Sequence, residues 1–173
     1  MIFIKKYIII YIENKKEVDK KMSKIYIAAA FNGKDDKDTE RKRENCEKLR
    51  KILIKKFDEN SVYAPWELRF PNAWDYPNEE WGLMVFAADI ANLEKADIVV
   101  SLNYGRLDPT AGTAWECGYA FAKGKKVIMV EMSNDAMSLM CSNGCYARLK
   151  GLEELEDYDF DLMVPMRTDT EQK

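Results

Sequence analysis

The chain has 173 residues, 27 basic and 30 acidic side chains, a net charge of −3 and no histidine. That length suits one domain with a core of its own, and the slight acidic excess argues against a basic nucleic-acid-binding surface. The missing histidine removes imidazole bases, Ser-His and Cys-His nucleophile pairs and histidine-ligated metals together, leaving proton chemistry to carboxylates, tyrosines, hydroxyls or lysines.

Residues 1–21 read as an extension outside the fold. An Ile/Tyr-rich run from Met1 to Asn14 is broken by Lys5 and Lys6 and followed by the charged Lys15–Lys21. The run is too short and interrupted to span a bilayer, and it lacks the clean apolar core and cleavage site of a secretory signal. One domain is expected over residues 22–165, with a polar tail at 166–173. Lys24–Ala30 is a continuous apolar run of the kind a parallel sheet buries on both faces. Asp38–Phe57 predicts a helix with Cys46, Leu49, Leu53 and Phe57 on one face. The mixed lysines and acids from Lys34 to Lys56 read as solvated.

Ser61–Tyr63 reads as a brief strand. Ala64–Asn78 holds Pro65, Pro71 and Pro77 with Trp66, Phe70, Trp74 and Tyr76. Irregular loops of this length inside compact domains carry function more often than not. Trp81–Ala96 predicts a helix, Asp97–Leu102 a central strand, Thr113–Lys123 a helix stopped by Gly124, and Lys126–Glu131 a strand. Leu149–Leu155 reads as helical. The alternation implies an α/β domain, doubly wound in the flavodoxin-like manner, with a mostly parallel sheet of about five strands flanked by helices.

The most informative stretch runs from Asp108 to Ala120, Asp-Pro-Thr-Ala-Gly-Thr-Ala-Trp-Glu-Cys-Gly-Tyr-Ala. It sets Glu116 in the first turn of a predicted helix that follows a strand and a loop, at the mouth of a parallel sheet's ligand crevice. A helix N-terminus favours negative charge, so Glu116 would stand ionised as a nucleophile. The same spacing fits a capping box between Thr113 and Glu116. Cys46, Cys117, Cys141 and Cys145 read as reduced thiols of a cytoplasmic protein, with no CxxC pair to hold a metal.

From Met22 to Phe160 the chain resembles the nucleoside 2-deoxyribosyltransferase family. Four segments carry the resemblance: Lys-Ile-Tyr-Ile-Ala-Ala-Ala-Phe from Lys24, the helix from Trp81 through Asp89 to Ile98, Gly112–Ala120, and Ser138-Leu139-Met140. The resemblance implies transfer of 2-deoxyribose between nucleobases, by cleavage of the N-glycosidic bond of 2′-deoxynucleosides through a covalent deoxyribosyl-glutamate and with retention. Its place would be purine and pyrimidine salvage. By resemblance Glu116 is the nucleophile, Tyr26 orients it, and Asp89 shuttles a proton to the base. Trp81 and Phe31 would wall the base, with Asp108, Thr110 and Gly112 near the sugar. The partners implied are 2′-deoxynucleosides and free nucleobases, with no nucleic acid polymer, no membrane, and neither cofactor nor metal. Ser138 and Met140 would act from a neighbouring subunit, which implies a homo-oligomer, either a dimer or a hexamer.

Two positions depart from the family pattern. Thr110 stands where many members carry an acid for the 5′-hydroxyl, and Ser138 stands in place of an asparagine. Both hydroxyls suit a phosphate as well, and Arg106 beside Asp108 fits a phosphate pocket. The alternative is therefore a deoxynucleoside 5′-monophosphate N-glycoside hydrolase with water as acceptor. A third reading is a non-catalytic nucleotide-sensing module, for which a nucleophile would be superfluous.

Overall fold

The computed structural model describes residues 23–165, Leu107 and Pro109 excepted. The expected extension at 1–21 and the tail at 166–173 lie outside the described residues. Five parallel strands form one sheet: β1 (Ile25–Ala28), β2 (Val62–Tyr63), β3 (Ile98–Asn103), β4 (Lys126–Glu131) and β5 (Ala147–Lys150), in the order β2-β1-β3-β4-β5. The helices are α1 (Asp36–Lys56), α2 (Asn78–Lys95), α3 (Ala111–Ala122), α4 (Leu139–Asn143) and α5 (Gly151–Asp157). This is the flavodoxin-like doubly wound arrangement, with its switch point between β1 and β3.

Strand alternation sorts the core into two layers. Ile25 and Ile27 of β1, Val100 and Leu102 of β3, and Ile128 and Val130 of β4 pack with Leu49 and Leu53 of α1 and Leu155 of α5. On the opposite face Tyr26, Ala28, Val99 and Met129 meet Leu93 of α2 and Cys117 and Ala120 of α3. Helix α1 starts cleanly because the Asp35 side chain caps it, accepting from the Asp38 N–H at 2.8 Å. Leu49 is fully buried at the centre of the first layer. Leu49→Ala is expected to cost ~2–5 kcal/mol through lost transfer energy and the cavity left behind. Urea denaturation checks this, as a lower midpoint at unchanged slope.

Two elements differ from the sequence expectation. Leu149 was expected in a helix, but it lies in β5, where Ala147 and Leu149 are buried and Lys150 is exposed. A four-residue strand shows only two periods of alternation, too few to outweigh the helical pattern beginning at Gly151. Helix α4 is a single short turn without the apolar periodicity that marks longer helices. The loop from Ala64 to Asn78 contains two 3-10 turns, Pro65–Glu67 and Ala73–Asp75, and its Trp74 is almost wholly exposed.

Candidate active site

At the carboxyl ends of β1 and β3 two cavities adjoin. One of about 580 Å³ is lined by Ala29, Asn32, Lys42, Asp108, Gly112 and Glu116, among others. The other, of about 800 Å³, is lined by Ala29, Phe31, Asn32, Trp66, Trp81 and Asp89, among others. Ala29 and Asn32 belong to both, so the two spaces share a rim. A larger cavity, about 1010 Å³, lies by α4 and β5 around the Glu131–Arg148 ion pair and touches none of Tyr26, Asp89 and Glu116. Convergent ionisable groups, more than volume, single out the first two.

Tyr26 is fully buried in β1, and strand alternation aims its ring at the α2–α3 layer. Its hydroxyl donates to Glu116 Oε1 at 2.6 Å. Burial, with the negative charge of Glu116 beside it, pushes the Tyr26 phenol far above its ordinary range, so it stays a neutral donor.

Glu116 sits differently from the sequence expectation. Helix α3 opens at Ala111, because the Ala114 N–H bonds the Thr110 carbonyl at 3.0 Å and Thr110 is the N-cap, without a side-chain bond. Thr113 is therefore buried inside the first turn and Glu116 lies in the second, so the expected capping box does not form. The helix-dipole argument weakens with it, since that effect fades beyond the first turn. Instead burial pushes the Glu116 carboxyl up from 4.5 to about 7, opposed by the Tyr26 hydrogen bond and assisted by the charge of Asp89. Near neutral pH a substantial fraction of this half-buried carboxyl is thus ionised at the cavity wall, where it can act as a nucleophile.

Asp89 projects from α2, partly buried, and accepts from the Tyr63 hydroxyl at 2.8 Å. Burial raises its carboxyl above the ordinary value, and the Tyr63 bond pulls the other way. Trp81, two turns earlier, lines the same cavity. Phe31 stacks on Trp66, centroids 5.4 Å apart and planes 7° apart, and the two rings form a flat wall.

At the far end of the Glu116 cavity, Asp108 is held by α1. Its Oδ1 accepts from Lys42 Nζ at 2.7 Å and its Oδ2 from Arg41 at 3.2 Å. Lys42 is almost fully buried and also pairs with Asp38 at 3.2 Å, while Arg41 donates to Asp38 as well. The Arg41 guanidinium holds the Asp38 carboxyl well below the usual carboxylate range. These contacts correct two expectations. Asp38 and Lys42 belong to no solvated face, and the cations beside Asp108 are Arg41 and Lys42, where the sequence suggested Arg106. The loop of residues 29–35 carries the chain from β1 to the start of α1, which brings Lys42 of an (i, i+4) acid–base pair to the crevice.

Tyr26, Asp89 and Glu116 therefore come together, with Trp81 and Phe31 on one side and Asp108, Thr110 and Gly112 on the other. A Cβ at Gly112 would meet nothing within 4 Å, so the residue adds openness to the cleft and no turn requirement. Ser138 and Met140 line neither cavity; both are exposed, Met140 at 83%. Sequence reasoning missed Arg41, Lys42 and Tyr63.

A family model for nucleoside 2-deoxyribosyltransferases matches residues 25–164. The chain belongs to that family. It is an enzyme of the nucleoside deoxyribosyltransferase type, and the matched span takes in every strand and helix described above. A solved structure of a 2-deoxyribosyltransferase from the psychrotolerant bacterium Bacillus psychrosaccharolyticus matches with a TM-score of 0.67 at 24% identity, covering 85% of this chain and 100% of that one. That likeness shows a shared fold. No curated protein matches the chain. Among the described residues of this deoxyribosyltransferase, no cluster of His, Cys, Asp and Glu is placed to hold a metal ion, and no helix is long and apolar enough to cross a membrane.

Proposed function

We propose that the enzyme moves 2-deoxyribose from one nucleobase to another through a covalent ester on Glu116. The 2.6 Å bond from the buried Tyr26 to Glu116, which lines the cavity adjoining that of Asp89, is the observation that carries this reading. A Glu116 oxygen attacks C1′ as the C1′–N bond breaks through an oxocarbenium-like transition state. The bonding electrons leave with the base, and Asp89 delivers a proton to the base nitrogen. A second base then attacks C1′ from the side the first one left, Glu116 departs as carboxylate, and Asp89 takes back a proton. Two inversions give net retention. Trp81 and Phe31 flank the base, while Asp108, Thr110 and Gly112 meet the sugar end.

The charge balance at that end favours a nucleoside over a nucleotide. Arg41 and Lys42 are spent on Asp38 and Asp108, two cations against two acids, and the carboxylate of Asp108 faces the cavity. A 5′-hydroxyl can donate to such a carboxylate, whereas a phosphate dianion would be repelled by it. Asp108→Asn is expected to lower kcat/KM for deoxynucleosides roughly 10- to 100-fold, the worth of one charge-assisted hydrogen bond. Steady-state kinetics with deoxyinosine and adenine measures it.

Exposed apolar side chains support a homo-oligomer. Leu83, Phe86 and Trp115 lie exposed on α2 and α3, where Phe86 meets Trp115 at 5.7 Å, and Leu139 and Met140 are exposed on α4. Such surface fits burial against a second copy, with Ser138 and Met140 reaching that copy's site. The free thiols of Cys46, Cys117 and Cys141 fit a reducing compartment such as the cytoplasm.

The test is chromatographic. The enzyme is incubated with deoxyinosine plus adenine, deoxyuridine plus adenine, and separately dCMP and dGMP. Deoxyadenosine should form from the nucleosides. Base and sugar phosphate released only from the monophosphates would establish the hydrolase in its place, and binding without turnover would establish the sensor.

A further inference from the structure

Tyr63 is a second phenol aimed at a second carboxylate. It pairs with Tyr26 across the parallel β1–β2 register, so the two side chains leave the sheet on the same face. Their rings stack with centroids 5.4 Å apart and planes 28° apart. Tyr26 ends on Glu116 of α3, and Tyr63 ends on Asp89 Oδ1 of α2 at 2.8 Å. Nucleophile and proton carrier thus each have their own tyrosine, and the stack ties the two pairs together.

Tyr63 contributes little to holding β2 that a phenylalanine would not, since its ring supplies the packing and its hydroxyl serves Asp89. A hydroxyl donating to Oδ1 fixes the rotation of the carboxyl group. It also decides where a proton can reside: an oxygen that accepts a hydrogen bond is the poorer place for one, which leaves Oδ2. Among the described residues no protein group bonds Oδ2, and Asp89 lines the cavity that holds Trp81 and Phe31. Building on the transferase reading above, we propose that Tyr63 is a positioning residue that locks Asp89 with Oδ1 turned inward, so that Oδ2 carries the proton exchanged with the nucleobase.

The electrostatic setting agrees. Burial, together with the Asp89 bond, pushes the Tyr63 phenol well above its ordinary range, so it remains a neutral donor. The groups facing Asp89 are Tyr63 from β2, Tyr26 from β1 and Glu116 from α3. Arg69 lines the same cavity but spends its guanidinium on the carbonyls of Trp66 and Leu68. Tyr63 is therefore the hydrogen bond that steadies ionised Asp89.

Tyr63→Phe, which keeps the ring and its stack, tests the proposal in the full chain. With deoxyuridine as donor and adenine as acceptor, kcat should fall roughly 10- to 100-fold with KM changed less than about threefold, the pattern of an interaction used in the transition state. A hydrogen bond to the charged form lowers a carboxyl's pKa, so its loss raises that of Asp89. The limb of the kcat profile where Asp89 loses its proton should therefore move to higher pH. The defect should shrink with 5-fluorodeoxyuridine, whose more acidic base leaves with less help. In an Asp89→Asn background the same substitution should cost nothing further. Equal defects with both donors, an unmoved limb, or full additivity with Asp89→Asn would overturn the assignment. One readout is independent of turnover. Carbon-detected titration of ¹³C-labelled aspartates in the free protein should show the Asp89 carboxyl rising in Tyr63→Phe, and an unchanged titration refutes the proposal. The proposed function fails separately, if the wild-type enzyme forms no deoxyadenosine.

Discussion

Glu116→Ala is expected to lower base exchange by a factor on the order of 10⁴ or more while leaving the fold intact. Removing a covalent nucleophile costs more than removing any single binding contact, because both half-reactions run through the same bond. Tyr26 and Asp89 offer no substitute, since one is a neutral phenol held far from ionisation and the other is committed to Tyr63. Intact-protein mass spectrometry supplies a second readout: deoxynucleoside without acceptor should leave a deoxyribosyl adduct on the wild-type chain and none on the variant. Stability should move in the opposite direction to activity. A carboxyl lifted from 4.5 to about 7 on folding binds its proton more tightly in the folded state. The folded state therefore loses stability as pH rises from 4.5 to 7, and the deficit persists above that window. Glu116→Gln is expected to gain roughly 1–3 kcal/mol at pH 8 and nothing at pH 4, read as a pH-dependent difference in Tm. A loss of activity with no such gain would mean that Glu116 is solvated in the free enzyme, contrary to the burial described here.

The sequence disclosed this site unevenly, for physical reasons. Glu116 was legible because it lies in a strongly patterned strand–loop–helix stretch, whereas Tyr26 showed only as a core residue of the apolar run of β1 and took its role from the family resemblance. Asp89 was likewise legible by family resemblance, since one acid on a mixed helix face has no distinctive period. Tyr63 was hidden by its two-residue strand, too short to reveal which face it presents. The register with Tyr26 settles that, and register is a property of the folded sheet. Lys42 and Asp38 looked like any solvated pair on a charged helix. They are buried because α1 begins beside the crevice and brings its first two turns against Asp108. The Thr113–Glu116 spacing misled in the other direction, since the motif tolerates a helix that begins two residues earlier and swallows its own cap.

Tyr26→Phe is expected to lower kcat/KM near pH 7 by roughly 10- to 100-fold and to recover much of that loss at higher pH. The Tyr26 hydroxyl is the donor that favours ionised Glu116, against burial and the charge of Asp89. Without it the carboxyl rises above about 7, so a smaller fraction of the enzyme carries a nucleophile at neutral pH. Because the ionised form reacts, kcat/KM rises with pH in the wild-type enzyme, through a limb near 7. That limb should move to higher pH in the variant. The direction separates protonation from orientation. If Tyr26 acts only by setting the Glu116 rotamer, the loss stays constant across pH and the limb stays where it was. If it acts through ionisation, the two profiles converge on the alkaline side. The stack with Tyr63 survives in the phenylalanine variant, so Asp89 keeps its own donor and its limb should move little. Tyr26→Phe therefore shifts chiefly the Glu116 limb and Tyr63→Phe chiefly the Asp89 limb, the behaviour expected of two tyrosine–carboxylate pairs that touch through their rings but are held by separate bonds.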